Sequence, residues 1–151
     1  MIILAAALAV PAAAQQQLPF KGALQGKDAD VPTGDPSTLI VRTSGTGIGT
    51  HIGQFSFSQE TTVNFLNNTD TGSAHFTAAN GDSIYTTIAG SGEFTDIPDV
   101  VRITEIHTIT GGTGRFSGAG GSFSVERLAN VVTFFTSGSF HGSITSPGAA
   151  D

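Results

Sequence analysis

The chain has 151 residues and 15.4 kDa, which is room for one domain with a single core. It carries 12 acidic against 6 basic residues, net charge −6, and no cysteine, so disulfides and thiolate metal sites are excluded. The six cations, Lys21, Lys27, Arg42, Arg102, Arg115 and Arg127, are scattered and form no basic run, which argues against a nucleic-acid partner.

The first element, MIILAAALAVPAAAQQQ, is apolar through Val10 and then reaches Pro11 and three small residues. It reads as a signal peptide over 1–14 with cleavage after Ala14, and it is too short to span a bilayer. No Lys or Arg precedes the apolar run, and a buried terminal strand or helix is the competing reading. The expected localisation is secreted or periplasmic, with residues 15–151 as the mature domain.

Beyond Gln17 no long window keeps a helical period of apolar positions. Alternating runs bounded by Gly, Pro, Asn and Asp predict strands near 18–26, 38–47, 51–66, 72–79, 83–95, 100–110, 119–128 and 131–145. The 20 Thr suit half-buried pleats, and the 20 Gly suit turns and bulges. KDADVPTGDPS, with two prolines and three aspartates, reads as a solvated loop after the first strand. NNTDTG and LAN read as turns, and Asn80-Gly81 as a type I′ hairpin. Connections this short imply antiparallel neighbours. Eight such strands suit a closed up-and-down β-barrel, which removes exposed sheet edges; a two-sheet sandwich is the alternative.

The glycine cluster 107–123, HTITGGTGRFSGAGGSF, raises the question of a phosphate cradle. A dinucleotide fingerprint needs a helix after the glycines, and a P-loop needs Lys-Ser/Thr. Here Phe123, Val125 and Arg127 alternate with Ser124, Glu126 and Leu128, which is another strand. The glycines therefore read as a bend, with Phe116 tucked beneath it.

On the sixth strand Val101, Ile103, Glu105, His107 and Ile109 share one face, and on the seventh Phe123, Val125 and Arg127 do. If those apolar faces point inward, Glu105 and His107 lie inside the barrel and Arg127 can reach Glu105 across or diagonally. Two readings follow. Glu105 and His107 are an acid/base pair facing a ligand, or Glu105–Arg127 is a buried ion pair and His107 a satisfied core residue. His51 fits a mouth position, and His75 and His141 fall on outward faces. The histidines lack the local spacing of a zinc motif, so no metal is expected. No serine sits in a nucleophile elbow.

The segment ITGGTGRFSGAGGSF resembles the late turn of allene oxide cyclases and dirigent proteins, through Gly111, Gly112, Thr113, Gly114, Phe116, Gly118, Ala119 and Gly121. The strand arrangement is also similar to small exported bacterial proteins with an allene oxide cyclase-like barrel. The resemblance implies an eight-stranded antiparallel barrel with a mostly apolar cavity and no cofactor. Eleven phenylalanines could wall such a cavity, with Phe55, Phe57, Phe123, Phe134 and Phe140, together with Arg127, as ligand-binding candidates. A small hydrophobic ligand is the expected partner. A cofactor-independent cyclase or isomerase, and a structural barrel with a filled core, are the alternatives. Oligomerisation is compatible with all three.

Overall fold

A computed structural model describes residues 16–145, so the expected leader lies outside the described residues. Eight strands follow in order: β1 Gln17–Pro32, β2 Thr38–Gly49, β3 Gly53–Asn64, β4 Thr69–Ala78, β5 Ser83–Phe94, β6 Val100–Gly112, β7 Gly120–Asn130 and β8 Phe135–Thr145. Each pairs antiparallel with the next, and β8 returns to β1, so the sheet closes into a barrel without edges. The predicted class holds. Serine and threonine cover the outside: on β3, Ser56, Ser58 and Thr62 are exposed while Phe55, Phe57, Gln59 and Thr61 are buried.

Three boundaries differ from expectation. The acidic segment is a loop only over 33–37, because β1 runs on through Lys27–Pro32 and pairs with Leu39–Ser44. Its inward Asp28 is held by Thr43 and Arg127 on other strands, an arrangement that local composition does not show. NNTDTG and LAN are likewise largely strand: Thr69 and Asp70 open β4, and β7 continues to Asn130. The last turn falls at 131–134, placing Phe134 outside β8 at φ 62°. The 79–82 hairpin is not type I′, since Gly81 takes positive φ and Asn80 does not. Ala78 C=O accepts from Gly81 N–H, and Asn80 Oδ1 accepts from Asp82 N–H, so a type I turn with a glycine bulge satisfies the loop.

The two ends of the barrel are unlike. At the end holding the 50–52, 79–82 and 113–119 connections the lumen is packed solid. Phe20 meets Phe123 and Phe140 with ring centroids at 5.1 Å, and Phe76 meets Phe55 and Phe123 at 5.7 Å. Inward glycines make room for these rings: a Cβ at Gly22 or Gly49 would stand 2.7 Å from Phe140 Cζ. The glycine cluster closes this end. A 3₁₀ turn, Gly114–Phe116, leads into β7 and drives the fully buried Phe116 under the bend, with Gly114 and Gly118 at positive φ. Arg115 ties the loops together, donating from its backbone N–H to Asp82 Oδ2 and from Nη2 to the Ile52 carbonyl.

Candidate functional site

The opposite end is open. A cavity of about 350 Å³ enters between the β1–β2, β3–β4, β5–β6 and β7–β8 connections. Leu39, Val41, Val63, Val101, Ile103 and Ala129 form its walls, and Phe65, Phe94, Val131 and Phe134 its rim. Among the described residues, the connections at this end carry much of the exposed apolar surface: Phe94 on the rim is 80% exposed, and Leu66 and Val132, next to Phe65 and Val131 in sequence, are 83% and 63% exposed. Phe134 is held in its left-handed conformation by two backbone bonds, its N–H to Asn130 C=O and its C=O from Asp28 N–H. A bulky residue pays strain there, and the ring stays on the mouth.

The floor is polar and separates the cavity from the phenylalanine core. Arg127, 3% exposed, donates from Nη2 to Glu105 Oε1 at 3.0 Å and from Nε to Oε2 at 3.3 Å, and from Nη1 to Thr136 Oγ1. Register puts Glu105 opposite Val125 and Ile103 opposite Arg127, so this pair is diagonal. Gln59 Nε2 donates to Glu105 Oε1, and the Thr43 hydroxyl donates to Asp28 Oδ1, which lies 3.6 Å from Arg127 Nη1. Asp70 completes the floor, 6% exposed. It faces Glu105 across Gly90, where a Cβ would stand 2.6 Å from Asp70 Oδ1 and 2.8 Å from Glu105 Cγ. The missing side chain at Gly90 is what lets the two carboxyl groups meet.

Their proton affinities part in opposite directions. Burial, then the charge and hydrogen bond of Glu105, raise Asp70 to about 7 against the pull of Arg127. Burial alone would raise Glu105 too, but the His107 ring and the Arg127 guanidinium outweigh it and hold Glu105 at about 2. His107 Nε2 stands 3.7 Å from Glu105 Oε2, too far for a hydrogen bond, and is buried without another polar partner. His107 Nδ1 shares a hydrogen bond with the Thr86 hydroxyl, and the ring stacks on Phe123.

No family model matches the chain, and no curated protein matches it. Among solved structures it is similar to the pterocarpan synthase dirigent protein GePTS1, with TM-score 0.61 over 95% of this chain and 99% of that one, at 11% identity. The barrel is dirigent-like. At that identity the likeness establishes the fold, and it supports the dirigent side of the sequence resemblance without singling out allene oxide cyclases.

Of the candidate residues, Arg127 and Phe134 line the cavity of this dirigent-like barrel. Glu105 and His107 lie inside, as parity indicated, Glu105 within the floor and His107 beneath it against Phe76 and Phe123. Phe55, Phe57, Phe123 and Phe140 pack the closed half and are absent from the cavity wall. His75 and His141 are exposed, and His51 sits in the turn at the closed end, away from the open mouth. Among the described residues no cluster of His, Cys, Asp and Glu has the makings of a metal site, and no helix is long and apolar enough to cross a membrane. Asp28 and Asp70 are the floor residues that sequence reasoning missed. Parity carried the signal, for Asp28 shares a face with Phe20 and Leu24, and Asp70 with Ala74 and Phe76.

Proposed function

We propose that the protein binds a small, largely apolar molecule in the open half of its barrel. The observation that carries this reading is the cavity itself: six aliphatic walls, an aromatic rim and a buried polar floor. Half of the lumen is filled and half is not, so the filled structural barrel describes only the closed end. Of the candidate residues, Arg127 and Phe134 belong to this binding site. The four phenylalanines of the closed half and His107 support it from behind. Export through the N-terminal segment fits a carrier or receptor of this kind.

The test is a cavity-filling variant. Ala129 is on the wall and 4% exposed, and Ala129→Trp places an indole in the space. The wild type is expected to bind naphthalene with micromolar affinity by fluorescence, and Ala129→Trp to lose that binding while keeping its β-sheet circular dichroism. Equal binding by both proteins would overturn the reading.

One observation favours templated isomerisation or cyclisation as a second reading. Asp70 keeps its proton to about pH 7 beside an apolar space and so can act as a general acid there, with ionised Glu105 behind it. The dirigent-like fold, whose solved neighbour is named a synthase, agrees with a templating role. Turnover of this kind falls as pH rises through 7.

A further inference from the structure

We infer that the ligand of this cavity is an organic cation, an apolar body carrying a protonated amine that seats on the floor between Asp28 and Asp70. The inference rests on the binding reading above and adds the charge of the ligand to it.

Charge count at the floor carries the argument. One guanidinium, Arg127, faces three buried carboxyl groups, Glu105, Asp28 and Asp70, while Asp30 stands further out toward the mouth. Arg127 donates to both oxygens of Glu105 and to Thr136, and Asp28 stands 3.6 Å from its Nη1. Its charge is therefore spent inside the floor, and an incoming carboxylate would find no cation to meet. A buried carboxylate left over must find a positive partner or take up a proton. Asp70 takes the second course when the cavity is vacant, and its high proton affinity marks the place of the missing cation.

Every group packed against Asp70 agrees with that account. Glu105 faces it from β6, Arg127 from β7, and Asp28 and Asp30 from β1. The neighbouring strands β3 and β5 offer Thr61, Gly90 and Gly92, none of which titrates, and Glu93 of β5 is paired with Arg102. An ammonium on the floor displaces the Asp70 proton, pairs with the carboxylate that remains and balances the network. The aliphatic walls then cover the apolar body.

Three nearly isosteric probes test the inference: 1-naphthalenemethylamine, 1-naphthalenemethanol and 1-naphthoate, titrated calorimetrically into the wild type at pH 8 and pH 5. At pH 8 the amine is expected to bind about tenfold or more tightly than the alcohol, the margin of a desolvated charge-assisted hydrogen bond, with the carboxylate weakest. At pH 5 Asp70 is protonated and the margin shrinks. Asp70→Asn, close in shape to the protonated acid, removes it at pH 8. Ala129→Trp abolishes it, which separates the cavity from attraction by the acidic outer surface. An amine no tighter than the alcohol, or a carboxylate as tight as either, overturns the cationic ligand and leaves the apolar cavity reading intact. Failure of all three probes and of naphthalene itself overturns both.

Discussion

Glu105 and Arg127 form a deeply buried ion pair, at 0% and 3% side-chain exposure. Glu105→Gln removes the closest counter-charge of the guanidinium, leaving Asp28 at 3.6 Å, and the loss of one partner of a buried pair costs about 3–5 kcal/mol. Thermal melts at pH 7 are expected to show that drop, and Glu105→Leu combined with Arg127→Met to recover much of it. The pH profile separates Glu105 from Asp70. Glu105 is lowered from 4.5, so its contribution is present above that value and is lost as pH falls toward 2. Asp70 is raised from 3.8, so its contribution is full below about that value and is lost as pH rises through 7. Asp70→Asn should therefore melt higher than the wild type at pH 8 and close to it at pH 4. A wild-type advantage at pH 8 would show that Asp70 is ionised and paired in the fold. The sixth-strand alternation was enough to place Glu105 and His107 inside and Arg127 within reach. It could not show that Glu105 belongs under the cavity, because depth along a barrel depends on strand stagger.

Strand β1 shows how an element can be hidden in its own composition. Its second half, Lys27–Pro32, combines acids with a closing proline, which locally favours loop. Yet Asp28 faces inward in phase with Phe20 and Leu24, and Thr43 and Arg127 satisfy it from β2 and β7. Those partners are distant in sequence, so only the closed sheet reveals why the strand persists. Strand β5 has the opposite device, a glycine where a side chain would intrude. Gly90→Ala adds a Cβ 2.7 Å from the Thr104 carbonyl oxygen and against both floor carboxyls. Overpacking of this kind costs about 1–3 kcal/mol. Chemical denaturation is expected to show that loss, and Gly90→Ala with Asp70→Ala to recover part of it. Additive losses in the double variant would mean that Gly90 does not make room for Asp70. Turn residues were legible where φ is the constraint, as at Gly114 and Gly118. They misled at Asn80, where side-chain bonds to Asp82 fix a different turn.

The barrel as a whole is asymmetric along its axis. Its eight antiparallel strands were legible from alternation and short connections, and the glycine cluster from the strand that follows it. The division of the lumen was not. Phenylalanine count suggested one aromatic wall, but Phe20, Phe76, Phe123 and Phe140 interlock at one end, while the cavity is walled mainly by Val, Leu, Ile and Ala at the other. Cavity position follows from which inward residues share a level, and that is set by the register of all eight strands together. The dry, interlocked half gives the fold its core, so the open half can keep a charged floor and a strained rim. Methyl NMR spectra of the protein titrated with naphthalene test this division directly. Shifts are expected at Leu39, Val41, Val63, Val101, Ile103 and Ala129, with Ile52, Ile84 and Ile144 of the closed half unmoved. Shifts confined to the closed half, or none at saturating probe, would contradict it.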